Sequence, residues 1–436
     1  MKESKFNLCL KDHTGMVIYN AMSDEIVTLN PQLAEIYEQW RNTPENIQDL
    51  HPELFSYLIK KGVLVEDGID EVNDYIIAKE NEEKEMKEFA VTINPTLACN
   101  MKCWYCYETH KNMPAMNVNV KQAVIACIRK ISDSRTIEKF NLSFFGGEPL
   151  LCFDKIVKDI IEEAVNVCNE HGIALFIHFT TNAYLLTERI LKQMDGLNVS
   201  FQITIDGNEN VHNTVRRTKN NETTYSTIIE HIRLASSMGF SVSVRFNYTA
   251  KSLPSFIDVL YDFQNLSNFN RDKVNFTFQR VWQDNEGNAK QIEEKVADIE
   301  CAFEKAGWAV NPSQNYVVPY CYADKRNSIV INYNGDLYKC TARDFNTKSR
   351  EGILTQDGNV VWNAKHEKRM AIKYGNDFCR QCRIYPICHG GCSQMKIEGV
   401  DTDSCPKGYD DERIQSIIKG RALFILGQYK KNNGIQ

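Results

Sequence analysis

Apolar side chains at residues 6–10 and 16–20 fall at strand spacing on either side of the turn Asp12-His-Thr-Gly15. Leu33, Ile36, Tyr37 and Trp40 then recur at helical spacing, and Leu54, Leu58 and Ile59 do the same within 51–61. The stretch Gly62-Val-Leu-Val65 reads as a returning strand. Residues 1–70 are therefore expected to form a small winged-helix-like domain of two strands, two helices and a final strand. Such a unit has no catalytic site of its own; beyond packing, its role would be to present a strand edge to a peptide.

Residues 71–88 turn acidic and mixed in charge, which reads as a linker with helical character. From 89 to 307 strand-like runs (89–93, 141–145, 175–180, 199–205, 241–248 and 275–282) alternate with amphipathic helical stretches such as 120–131, 154–168, 225–238 and 253–263. Strands alternating with helical crossovers imply an α/β fold with a parallel sheet, and six units suit a partial (β/α)6 TIM-like barrel. In such sheets the loops after the strand C-termini carry function. Residues 308–436 form a third region, where from about 312 the pattern breaks into short turns rich in Cys, Gly and Asn before a closing helix at 410–429. Metal-type ligation is expected to replace a hydrophobic core there.

A length of 436 residues agrees with two or three domains. A net charge of -6 leaves no basic footprint for nucleic acid, and no apolar run approaches a membrane span, so neither partner is expected and the chain reads as cytoplasmic. Fifteen Cys in a reducing compartment point to metal or cluster ligation rather than disulfides. Ten of them fall in two patterned groups, while Cys9, Cys127, Cys152, Cys168 and Cys301 stand alone and read as small buried hydrophobes.

The first group, Cys99-x3-Cys103-x2-Cys106, follows the first barrel strand. Three thiolates leave one iron of a four-iron cluster without a protein ligand, although zinc competes for such a triplet. After the second strand, Gly146-Gly147-Glu148-Pro149 places two glycines where backbone would approach a ligand closely, with a carboxylate aimed at a cation. The triplet, with an aromatic residue before its last Cys and Gly-Gly-Glu-Pro behind it, resembles the radical S-adenosylmethionine (radical SAM) enzymes. The resemblance implies that Cys99, Cys103 and Cys106 hold a [4Fe-4S] cluster whose open iron binds AdoMet. Tyr105 would lie by the adenine, and Gly146, Gly147 and Glu148 would hold the amino group. Thr204-Ile-Asp-Gly207 and Val211-His-Asn-Thr-Val-Arg216 resemble the family's strand-four signature, which assigns Thr204 and Arg216 to the methionyl carboxylate. Thr replaces the Ser that relatives often have, and either hydroxyl donates. Thr181 and Asn182 match a pair close to the ribose.

The second group runs Cys321, Cys340, Cys379-x2-Cys382-x5-Cys388-x3-Cys392 and Cys405. A zinc ribbon is the alternative, but zinc modules use ligands in fours and seven cysteines suit them poorly. The spacing resembles the SPASM domain, a carrier of two auxiliary [4Fe-4S] clusters in radical enzymes that modify peptides and proteins. By that resemblance Cys379, Cys382, Cys388 and Cys405 bind an outer cluster and Cys321, Cys340 and Cys392 an inner one, which makes three clusters in all. Relatives supply a further Cys just before the position of Cys321, and none stands here between 311 and 320. Cys301, substrate or water would complete the inner cluster. His110, His178 and His389 lie near these groups and receive no catalytic assignment.

The first 70 residues resemble, in pattern, the leader-recognition domain (RRE-like) of ribosomal-peptide maturases. The resemblances together imply a radical SAM maturase that takes a hydrogen atom from a ribosomally made precursor peptide and installs a carbon–carbon or thioether crosslink. The leader would bind the N-terminal domain, and flavodoxin or ferredoxin would supply electrons. One alternative is a sulfatase-type maturase forming formylglycine; such enzymes place an Asp base directly after the Cys matching Cys340, where this chain has Thr341, and lack the N-terminal domain. Another is a non-catalytic iron–sulfur electron carrier or redox sensor, which would need no AdoMet pocket around Gly146–Glu148 and Arg216.

Overall fold

The computed structural model describes all residues except 109–114, 135–136, 265–266, 268, 312–319, 400–403 and 433–436, so His110 lies outside the described residues. The chain divides into two compact units, one of Met86–Ser313 and Arg326–Glu367, the other of Met1–Glu85, Gln314–Lys325 and Lys368–Gln436.

The larger unit is built on six parallel strands in sequence order: β1 (Glu88–Ile93), β2 (Lys139–Phe144), β3 (Ala174–Thr181), β4 (Val199–Ile205), β5 (Ser241–Tyr248) and β6 (Val274–Arg280). Helices such as Val118–Ser134, Lys158–His171 and Tyr225–Ser237 cross between them. The sheet does not stop at residue 307. Ala309–Asn311 adds a parallel strand beside β6, and Ser328–Ile331 adds one beside β1. Three antiparallel strands, Asp336–Tyr338, Gly352–Leu354 and Val360–Trp362, continue that edge, so the end strands do not pair and the barrel stays open.

Alternation along these strands decides what the barrel can hold. Val91, Ile93, Leu142, Phe144, Ile177, Phe179, Ile203, Val244, Phe246 and Phe276 are buried in one continuous hydrophobic core with the crossover helices. The intervening positions, Thr92, Ser143, His178, Gln202, Arg245, Asn247 and Thr277, are polar and only half-buried. Closed TIM barrels fill their interior with layers of branched apolar residues. Here the face turned away from the core is polar, and remains available for a ligand.

In the smaller unit, Asn7–Asp12, Gly15–Asn20 and Glu25–Leu29 form an antiparallel meander, one strand more than the sequence pattern suggests. The additional strand is five residues long and follows directly on Asp24, whose positive φ makes the turn. Three helices follow, Pro31–Trp40, Glu45–Leu50 and Pro52–Lys60, and Leu64–Val65 pairs with Lys2–Glu3. Asn30 and His51 each accept a backbone N–H in the first turn of the helix that follows, and each is followed by Pro at the first helical position.

One face of the meander, with Met16, Ile18 and Val27, packs on these helices. The other, with Phe6, Leu8 and Tyr19, packs with Val72 and Ile76 of the helix Glu71–Lys84 and with Tyr374, Ile384, Tyr385, Ile417 and Ile418 from the cysteine-rich C-terminal region. That region therefore has a hydrophobic core after all, and the N-terminal sheet supplies much of it. Glu83, in the stretch read as a linker, makes a buried ion pair with Lys373. The closing helix is Asp411–Asn432, and among the described residues no helix is long and apolar enough to cross a membrane.

Phe246 is fully buried, with the rings of Phe256, Phe276 and Phe278 centred 4.6, 5.2 and 5.0 Å away. Phe246→Ala should cost about 3–5 kcal/mol of the larger unit's stability, read as a lower urea midpoint for the loss of its secondary structure.

Candidate active site and metal centres

The loop after β1 that carries Cys99, Cys103 and Cys106 lies directly against the loop after β2. Gly147 N–H donates to Thr96 O (3.1 Å) and Glu148 N–H to Ala98 O (2.8 Å). A Cβ on Gly147 would lie 2.1 Å from Ala98 O, and one on Gly146 2.5 Å from Thr96 O. The glycines are thus required by the contact of one loop with the other, a different reason from the ligand approach expected of them.

Glu148 is fully buried. Its Oε1 accepts from Leu150 N–H (3.0 Å) and the Thr181 hydroxyl (2.7 Å), and its Oε2 from Asn182 N–H (2.8 Å). Burial pushes its pKa up, and these three donors oppose that shift. A carboxylate offers about four acceptor sites, so roughly one remains, on Oε2. Asn182 directs its side-chain amide to Asn100 Oδ1 (2.7 Å) and to Cys99 Sγ (3.7 Å), which brings the end of β3 onto the cysteine loop. Burial raises the Cys99 thiol to about 12 and the Cys106 thiol to about 11, and raises Cys103 as well. Binding metal would replace those protons.

At the end of β4, Asp206 accepts from the Tyr105 hydroxyl (2.7 Å) and from Arg216 Nε, while Arg216 also donates to the Tyr105 oxygen (2.7 Å). Asn247 Nδ2 reaches the same oxygen at 3.2 Å, and Arg245 Nε donates to Asn247 Oδ1 at 2.9 Å. His212, fully buried, bonds Asp206 N–H and the Thr224 hydroxyl and so braces the turn that presents Asp206. Thr204 is buried on β4, beside Arg245 in the register with β5. Tyr105 and Arg216 are thereby brought together, and both oxygens of Asp206 are engaged. Glu108, two residues past Cys106, is 6% exposed with Oε2 unpartnered, and burial, then the charge of Asp344, pushes it up to about 8.

In the smaller unit, Cys379, Cys382, Cys388 and Cys405 line one cavity together with Ile384 and Tyr385. Among the described residues no three His, Cys, Asp or Glu side chains converge on a point suited to a single metal ion. The four cysteines share the lining of that cavity. Burial raises Cys379, Cys382 and Cys388. Cys321 opens the turn Tyr322–Asp324 and Cys392 precedes the helix Ser393–Ile397. Fully buried Arg369 ties these two segments by donating to Ser393 Oγ (2.7 Å) and to Gln394 Oε1, while Ser393 donates to Asp324. Cys340 belongs to the larger unit, just past Asp336–Tyr338, and Cys301 is a half-buried residue of the helix Ala289–Lys305. Cys127, Cys152 and Cys168 are in the barrel core. His178 bonds the Ser200 hydroxyl (2.9 Å), and His389 Nδ1 lies 2.5 Å from the Tyr75 hydroxyl.

Asp206, Asn100, Arg245 and Asn247 belong to these networks and were not singled out from the sequence. Asp206 sat inside Thr204-Ile-Asp-Gly207, and Arg245 and Asn247 break the apolar run of a parallel strand at alternate positions, a signal of a polar inner face.

Residues 93–250 match the radical SAM superfamily model, and the chain carries a radical SAM domain, with the partial barrel that goes with it. A cysteine-type anaerobic sulfatase-maturating enzyme of Clostridium novyi (strain NT) is 21% identical over 346 residues, which cover 71% of this chain and 89% of the relative. The fold is shared with native anSMEcpe bound to AdoMet and the Cp18Cys peptide (TM-score 0.59, 16% identity, 79% of this chain and 99% of that one). It is also shared with Streptococcus suis SuiB bound to S-adenosylmethionine (TM-score 0.54, 15% identity, 95% and 100%), a protein also seen bound to the precursor peptide SuiA.

Asp206→Asn would leave the buried Arg216 guanidinium without its carboxylate. The variant should lose about 3–5 kcal/mol of stability in urea unfolding, whereas Asp154→Asn, in an exposed pair with Arg189, should change it by less than about 1 kcal/mol.

Proposed function

We propose that this chain is a radical SAM maturase of a ribosomally made precursor peptide, installing a carbon–carbon or thioether crosslink. The observation that carries the reading is the three-cysteine loop clasped to the Gly146–Glu148 loop at adjoining strand ends, beside a polar barrel face. Cys99, Cys103 and Cys106 would hold the [4Fe-4S] cluster, and the remaining acceptor site of Glu148 would take the AdoMet amino group. Thr204 and Arg216 would meet its carboxylate, with Tyr105, Thr181 and Asn182 shaping the nucleoside side. Cluster and AdoMet together supply a 5'-deoxyadenosyl radical able to remove a hydrogen atom from substrate. The chain's own part is positional. Asp206 and Tyr105 hold the Arg216 guanidinium, and Asn182 holds the cysteine loop.

Cys379, Cys382, Cys388 and Cys405 would bind an outer auxiliary cluster, and Cys321, Cys340 and Cys392 an inner one, with Cys301, substrate or water completing it. These clusters would accept the substrate electron. A leader peptide would add a strand to the meander, whose edge strands are Asn7–Asp12 and Glu25–Leu29. Flavodoxin or ferredoxin would donate electrons, and a cytoplasmic location suits cysteines meant for iron. The peptide-bound forms of anSMEcpe and SuiB favour a peptide substrate.

The sulfatase-type reading is kept because of the Clostridium novyi relative, and Thr341 in place of a carboxylate counts against it. Mass spectrometry of a candidate precursor after anaerobic turnover separates the two. Crosslinking removes two hydrogens shared between two residues, and formylglycine formation from Cys removes its sulfur. Dithionite-reduced protein should cleave AdoMet to 5'-deoxyadenosine, and failure to do so with intact clusters would leave only an electron carrier. Iron analysis should give about twelve irons per chain; a value near four would remove the auxiliary assignment.

A further inference from the structure

Lys396, on the helix Ser393–Ile397, is 8% exposed. Its Nζ donates to Ile372 O (2.7 Å) and Gly390 O (3.1 Å). The same Gly390 carbonyl accepts from Cys379 Sγ at 3.4 Å, so the ammonium and that sulfur are two hydrogen-bond lengths apart at most. Burial lowers the Lys396 pKa, and Cys379, Asp324, Cys392 and Cys388 oppose that shift. The buried acids nearby are already matched. Asp324 accepts from Ser393 and faces Arg369 at 4.0 Å, and Glu83 pairs with Lys373. Lys396 is thus a cation in excess, satisfied by two neutral carbonyls.

Burying an ammonium without an anion is costly, and such a charge persists where an anion is supplied. The groups around Lys396 that become anionic are the thiols, once they ligate metal. A four-iron cluster held by four thiolates is an anion and gains further negative charge when reduced. A fixed neighbouring cation favours the reduced form, since cluster potentials follow net charge and hydrogen bonding at the sulfurs.

We propose that Lys396 is the built-in counter-charge of the cluster bound by Cys379, Cys382, Cys388 and Cys405, holding its reduction potential above what those ligands alone would set. The proposal rests on the reading of these cysteines as cluster ligands. Lys396 is a positioning residue, acting on the cluster's electron affinity. Lys407 lines the cysteine cavity and acts on Cys388, but it is less deeply buried than Lys396.

The test is a redox titration, followed by electron paramagnetic resonance, of the reconstituted full-length enzyme. Lys396→Gln keeps amide donors for the two carbonyls and removes the charge, Lys396→Arg keeps the charge, and Lys407→Gln removes the competing, less buried charge at the cavity wall. Lys396→Gln should shift the one-electron equilibrium of one auxiliary cluster at least tenfold toward the oxidised form, about 59 mV lower. Lys396→Arg should stay within about threefold of wild type, Lys407→Gln should shift the equilibrium less than Lys396→Gln does, and a larger shift in Lys407→Gln overturns the assignment to Lys396. Iron loss in Lys396→Gln with retention in Lys396→Arg would also support the counter-charge. An unchanged potential in Lys396→Gln, or equal changes or equal iron loss in the Gln and Arg variants, overturns it. Iron counted first separates the two levels, since a wild-type value near four overturns the ligand reading itself and the proposal with it.

Discussion

A single buried carboxylate holds the working end of the barrel together. Glu148 takes donors from its own loop and from the end of β3, and its backbone N–H is bonded to the cysteine loop after β1. Three consecutive strand ends are therefore registered by one residue whose removal would leave several buried donors without acceptors. Thr181 and Asn182 are positioned by this clasp, and Tyr105 and Arg216 by the Asp206–Arg216–Tyr105 network at the end of β4. Geometry for chemistry comes first from groups that satisfy one another, with cofactor contacts drawn from what remains.

The six-strand alternation and the cysteine triplet were legible in the sequence because both obey short-range rules: a two-residue rhythm in strands and fixed ligand spacing. The structure repeats the first with small changes of boundary. What could not be read was pairing at a distance. Nothing local announces that Ser328–Ile331 runs parallel to β1, or that Glu25–Leu29 completes a meander, since short strands are defined by their neighbours. The stretch read as a linker turned out to contribute Val72, Ile76 and Glu83 to a buried core, because a few apolar residues among many charges are enough when a partner surface exists.

Candidate site residues divide in the same way. Glu148, Tyr105 and Arg216 were singled out by motif, but their bonds were not foreseen: Tyr105 meets Arg216 and Asp206 through its hydroxyl, and the two glycines serve loop-on-loop contact. Arg245 and Asn247 carry no motif, and their alternation along β5 signals a polar face without naming the partners they find there. Lys396 is invisible to pattern altogether, because its meaning lies in the acids that are already paired around it.

The sharing of one core between the N-terminal meander and the cysteine-rich C-terminal region has an architectural consequence. Phe6, Leu8 and Tyr19 are walls of the compartment that also contains Cys379 and Tyr385. The first 70 residues are therefore not a detachable appendage. Trimming them, or grafting in another enzyme's counterpart, would strip the apolar backing from the cysteine cavity. Residues near position 6 are thus constrained by packing against side chains nearly four hundred positions away.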